Sequence, residues 1–170
     1  MMREEGYTDG VVPSFGRRWV MVCWIFSGIA VAYTLRVNLS VAVNDMGDEF
    51  GWSVNQEGLV LSSFFWGYAV GQIPGGRLAH RYGAKRVFAF SILVPSLLTI
   101  IFPLICETSF VLALVFRAIT GLCAAATFPS TYNFFYKWVP FKEKTKMVPI
   151  AISGTFLGTK ISTFPVLISI

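Results

Sequence analysis

Charge is what this 170-residue chain has least of: Asp, Glu, Lys and Arg together make up 14% of it. Soluble domains carry about 25%, so the polar surface here is too small to coat a water-facing globule. Cysteine is scarce as well. Cys23, Cys106 and Cys123 each sit inside an apolar run, which argues against a disulfide-built secreted scaffold. With one histidine, His80, the chain offers no metal-ligand cluster, no activated nucleophile and no phosphate-cradling loop, so neither an enzyme nor a resident cofactor is expected. Apolar residues are plentiful, at 55% of the chain with mean hydropathy +0.64. Sixteen phenylalanines exclude collagen-like and disordered chains. An integral membrane protein is expected.

The net charge of +5 raises nucleic acid as a partner. A nucleic-acid binder gathers its Lys and Arg on one solvated face. Here they fall in short clusters between apolar stretches, so no nucleic acid is expected and the lipid bilayer takes its place. A membrane-spanning helix needs about 20 apolar residues. Spans are expected at about 19–43, 58–79, 87–106, 110–136 and 147–170, behind a cytoplasmic tail of residues 1–18. The first is too long for a cleaved signal peptide and lacks a small-residue cleavage site. The connectors are short: Asn44 to Glu57, His80 to Arg86, Glu107 to Ser109 and Lys137 to Lys146.

Orientation follows from the basic residues. With a cytoplasmic N-terminus, that side holds Arg3, Arg17, Arg18, Arg77, Arg81, Lys85, Arg86, Lys137, Lys142, Lys144 and Lys146. The opposite side holds no Lys or Arg and carries Asp45, Asp48, Glu49, Glu57 and Glu107. Cytoplasmic loops of membrane proteins retain positive charge, so the multi-pass chain is expected with its N-terminus inside. Plasma membrane and organelle membrane remain equal alternatives.

Arg36, Arg117 and Lys160 remain, inside the apolar runs. A cation near the centre of a membrane helix costs at least about 2.5 kcal/mol, so it normally faces a cavity, a partner or a substrate path. Helical rise places all three at one level, roughly 10 Å below the outer surface. No Asp or Glu lies in any of the five spans to neutralise them. The anion must come from the substrate or from helices outside this chain. Arg grips a carboxylate or phosphate through two parallel hydrogen bonds, whereas Lys is a point charge. The competing readings are structural pairing for the arginines and snorkelling for Lys160.

Helix faces agree with an interior cavity. Tyr33, Arg36, Ser40 and Asn44 form one polar stripe on the first span, and Tyr68 and Gln72 are four apart on the second. Gly67, Gly71 and Gly75 make a doubled GxxxG pattern, repeated once by Gly154 and Gly158, which lets another helix approach closely.

Several motifs resemble the major facilitator superfamily, and within it the anion:cation symporter branch of vesicular glutamate transporters, sialin and sodium-phosphate cotransporters. The loop signature between the second and third helices resembles Gly76-Arg77-Leu78-Ala79-His80-Arg81-Tyr82-Gly83-Ala84-Lys85-Arg86. The fourth-helix signature resembles Arg117-Ala118-Ile119-Thr120-Gly121. Closer to the branch are Arg36-Val37-Asn38-Leu39-Ser40, Ser63-Phe64-Phe65-Trp66-Gly67-Tyr68 and Gln72-Ile73-Pro74-Gly75-Gly76. The resemblance runs from about Leu35 to Ser162.

The resemblance implies an all-α, polytopic carrier of twelve helices, built as two six-helix halves that alternate access to a central site. Five helices fit in this chain, which is therefore expected to be part of the first half, with the C-terminal half as its missing partner. The implied function is secondary transport of small organic anions or phosphate. Arg36, Arg117 and Tyr68 match the branch's binding positions, and Lys160, where an apolar residue is usual, extends the candidate set. Gly76, His80, Arg81, Gly83 and Arg86 match a cytoplasmic conformational latch. His80 stands where the signature usually has Asp, leaving a titrating group or a passive hydrogen-bonding residue as alternatives. The branch often places a glutamate just after the fourth-helix arginine, where this chain has Thr120 and Ala124. The coupling ion, sodium or proton, stays open, and loss of the usual proton site is expected. The alternative function is a small membrane interaction protein or regulatory half-subunit with no transport of its own.

Overall fold

The computed structural model describes residues 15–169, and the described residues are helical apart from short turns. The helices are α1 (Phe15–Phe50), α2 (Val54–Tyr82), α3 (Ala84–Thr108), α4 (Phe110–Ala124), α5 (Thr127–Trp138), α6 (Phe141–Ile152) and α7 (Gly154–Ser169). Tail residues 1–14, including Arg3, and the chain end at Ile170 lie outside the described residues, as do the side chains of Asn44 and Lys142.

Local chemistry sets the helix ends. α1 runs past the expected Val43 through Asp45, Asp48 and Glu49, and stops at Gly51, whose φ of 66° suits glycine. The Ser53 backbone N–H donates to Gln56 Oε1 at 2.9 Å, which starts α2 four residues before the expected Gly58. The expected connector from His80 to Arg86 is nearly absent. α2 continues through His80 and Arg81, α3 begins at Ala84, and Gly83 alone reverses the chain with φ 93°. A left-handed glycine turns a helix corner without a loop.

Proline explains one of two interruptions inside expected spans. The rod from Phe110 to Trp138 breaks at Ala125–Ala126, because Pro129 has no N–H for the Ala125 carbonyl. The last rod starts early, at Phe141, and breaks at Ser153, although the Ser153 N–H still donates to the Pro149 carbonyl at 2.9 Å. Among the described residues, three segments are long and apolar enough to cross a membrane: Gly16–Val43, Ala84–Thr108 and Phe110–Trp138. α3 exposes Leu93, Leu97, Ile100 and Leu104 at helical spacing, a face that water would not tolerate and lipid would. The fold is that of a multi-pass helical membrane protein.

Glycine decides which rods touch. The Gly67–Gly71–Gly75 stripe of α2 lies against Ala118, Leu122 and Ala126 on the fourth rod, and Gly121 lies against the Phe64 carbonyl. At Gly67 an added Cβ would strike the Ala118 backbone oxygen. α7 meets α1 in the same way, Gly154 against the Phe26 carbonyl and Gly158 against that of Ala30. Hydroxyls complete this second seam: Thr34 Oγ1 donates to the Gly158 carbonyl at 3.2 Å, and Ser162 Oγ donates to that of Thr34 at 3.4 Å. Near the start of α1, Arg18 pairs with Glu143 of α6 at 2.6 Å.

Two apolar cores sit at opposite ends of the bundle. Val22, Ile25 and Ile29 of α1 pack with Phe135, Val139, Met147 and Ala151 at one end. Leu39, Val60, Phe102, Cys106 and Ala113 pack at the other. Following α1 from Ile29 to Leu39, or the fourth rod from Ala113 to Phe135, crosses a middle layer that belongs to neither core.

Candidate functional site

The middle layer holds a cavity of about 490 Å³, counting the part open to solvent. α1 supplies Tyr33 and Arg36, and α2 supplies Phe64 and Tyr68. The fourth rod supplies Arg117, Thr120, Ala124, Thr127 and Phe128. α3 adds Ser91, Pro95 and Thr99, the inward face opposite its apolar outer stripe. No Asp or Glu is among the lining residues.

Both arginines therefore reach one cavity, but their settings differ. Arg117 is 4% exposed, and its Nε is buried with no hydrogen-bond partner among the described residues. Its Cζ lies 5.1 Å from the Phe64 ring centre and 5.7 Å from that of Phe102. Arg36 is half-buried and sits amid four rings, with Cζ 4.8 Å from Phe65, 5.1 Å from Phe64, 5.1 Å from Tyr68 and 5.5 Å from Tyr33. Ring faces attract a guanidinium without neutralising it, so both positive charges stay available to an anion. The buried polar atoms nearby are mostly occupied. Thr120 Oγ1 donates to the Phe116 carbonyl at 2.9 Å, and Thr127 Oγ1 contacts Ser91 Oγ at 3.1 Å. What the cavity leaves open is cationic donor capacity.

The other expected site residues divide. Tyr68 lines the cavity and stacks on Phe64 at 5.8 Å, with the ring planes 22° apart. Ser40 and Gln72 are exposed and do not line it, because both helices run past its ends. Lys160 is exposed on α7 and lies apart from the cavity lining. It stands two residues from Gly158, which turns it away from the α1 seam. Gly76, His80, Arg81, Gly83 and Arg86 gather around the α2–α3 corner, away from the cavity. His80, Arg81 and Arg86 are exposed there, with Arg81 Cζ 5.6 Å from the Tyr82 ring centre.

Sequence reasoning missed the α3 wall and the phenylalanines of the ring cluster. Ser91, Pro95 and Thr99 recur every four residues, a readable stripe of small and polar side chains. Phe64 and Phe65 carry no such signal, since an apolar residue in an apolar helix looks the same facing lipid or cavity.

Comparison with known proteins agrees with this architecture. The Major Facilitator Superfamily profile matches residues 25–170. A sodium-dependent phosphate transport protein 1, chloroplastic, of Arabidopsis thaliana is 38% identical over 145 residues, covering 85% of this chain and 28% of the relative. The ascorbate transporter, chloroplastic, of the same plant is 34% identical, covering 98% of this chain and 35% of the relative. Human sialin is 32% identical, covering 85% of this chain and 35% of the relative. The chain thus spans about a third of the length of these relatives. With its sequence match, its helical membrane fold and its signature stretches in place, the chain belongs to the major facilitator superfamily.

Proposed function

We propose that this chain forms part of a secondary carrier that moves a small organic anion or inorganic phosphate across a membrane by alternating access. One observation carries the reading: two guanidiniums share a cavity that has no carboxylate in its lining. The names of the relatives support the substrate class, since they include transporters of phosphate and ascorbate. An arginine pair suits carboxylates and phosphates alike, because each offers two oxygens to a planar fork. Full-length protein in proteoliposomes should take up inorganic phosphate or a small carboxylate and ignore a neutral solute of equal size. Uptake of the neutral solute at an equal rate would overturn the reading.

The fourth rod supports a reading of the driving force. Arg117 is followed on the same face by Thr120 and Ala124, neither of which carries a proton near neutral pH. The same uptake should therefore run on an imposed membrane potential or a sodium gradient with no pH gradient. A strict need for a pH gradient would return proton coupling to the cavity.

Orientation has its own test. The charge asymmetry supports a cytoplasmic N-terminus and a cytoplasmic α2–α3 corner. With the natural cysteines replaced, an impermeant thiol reagent added outside should label Asp48→Cys and miss His80→Cys. The opposite pattern would invert the topology.

A further inference from the structure

Phe64 occupies an unusual place in the cavity wall. Its ring is 4% exposed, and its centre lies 5.1 Å from Arg36 Cζ and 5.1 Å from Arg117 Cζ. Phe65, Tyr33 and Tyr68 face Arg36 alone, and Phe102 faces Arg117 alone. Among the described residues Phe64 is the ring that both guanidiniums share. Two like charges in one low-dielectric cavity repel strongly, and neither forms an ion pair with a described residue. An aromatic face is negative and attracts a cation, whereas an aliphatic side chain of similar size is indifferent to it. The ring is also held in place. At Gly121 the fourth rod lies directly against the Phe64 carbonyl, and Tyr68 stacks against the ring at 5.8 Å.

We propose that Phe64 is a positioning residue for anion binding. Its ring holds Arg36 and Arg117 at a set spacing before the anion arrives, so that the anion meets a two-arginine site already formed. The proposal rests on the transport reading above and adds to it a determinant of affinity that itself donates no hydrogen bond. Preorganisation acts on binding rather than on the translocation step, so its signature is a change in KM with kcat preserved.

The test uses the full-length protein in proteoliposomes, with inorganic phosphate as the probe. Replacing Phe64 by 3,4,5-trifluorophenylalanine keeps the ring's shape and withdraws negative charge from its face. Two cation–π contacts of ordinary strength are weakened together, so KM for phosphate should rise about tenfold while kcat stays within about twofold. Phe64→Leu should do the same, and Phe64→Tyr, which keeps the ring face, should restore the wild-type KM.

A second readout needs no substrate. Phenylglyoxal attacks the neutral guanidine, so removing the ring's attraction for the charged form should speed modification of Arg36 and Arg117 severalfold, followed by mass spectrometry. Unchanged KM and unchanged arginine reactivity in the fluorinated protein would overturn the proposal and leave Phe64 as filling. Should the wild type take up neither phosphate nor any other anion, the transport reading falls, and arginine reactivity alone decides the role of Phe64.

Discussion

Exchanging Arg117 for lysine in the full-length protein is expected to cut anion uptake about 100-fold, while the variant still reaches its membrane. The charge is retained, so long-range attraction of the anion is nearly unchanged. What disappears is the planar fork. Arg117 is 4% exposed, and its Nε has no partner among the described residues, so its donors are free for a ligand. A lysine ammonium cannot offer two parallel hydrogen bonds, nor lie flat against Phe64 and Phe102. Losing one hydrogen bond to a charged group costs about 1.5–3 kcal/mol, or roughly 10- to 100-fold in binding. Arg36→Ala should fall in the same direction, because it removes the second donor set from the cavity. Initial uptake rates, normalised to protein in the membrane, measure both. Wild-type rates in both variants would make the arginines structural and remove the main support for anion transport.

Gly121→Leu is expected to prevent folding rather than impair transport. A Cβ at Gly121 would strike the Phe64 carbonyl, and the reciprocal Cβ at Gly67 would strike that of Ala118. The atoms in the way are backbone, so relief requires moving a helix axis. Overpacking of a tight contact costs about 1–3 kcal/mol even where side chains can yield, and here they cannot. Gly121→Leu should lose the monodisperse peak in detergent chromatography, and Gly121→Ala should lower the melting temperature. Gly76→Ala is the control: its Cβ would meet only Pro129 Cβ, at 3.7 Å, an ordinary contact. A folded Gly121→Leu with an unchanged melting temperature would mean that α2 and the fourth rod are not in backbone contact.

The membrane class was plain in the sequence because apolar runs of span length have few other uses. Arg36 and Arg117 were equally legible, since a cation in an apolar helix must be accommodated and helical rise gives its depth. The glycine stripes announced close packing but not its partner. That Gly67, Gly71 and Gly75 meet the fourth rod, and Gly154 and Gly158 meet α1, depends on the three-dimensional order of rods, which periodicity does not encode. Pro129 held the signal for the break at Ala125–Ala126, yet proline inside membrane helices often passes without a break, as Pro74 does in α2. The phenylalanines of the ring cluster were illegible for a different reason. Phe64 and Phe65 are adjacent, one buried and one exposed, and both reach Arg36 because the arginine's long side chain bridges the angle between them.

The glycine seams separate frame from lining. α2 meets the fourth rod through Gly67, Gly71, Gly75 and Gly121, while Tyr68, Thr120 and Ala124 point from the same two helices into the cavity. Because the axes are fixed by backbone contact, an exchange at a lining position alters the shape and polarity of the chamber without shifting the rods. Cargo and architecture can then drift at different tempos over evolutionary time. A bundle built this way can change what its chamber accepts by a few substitutions facing it, and the helices around them inherit their geometry unchanged.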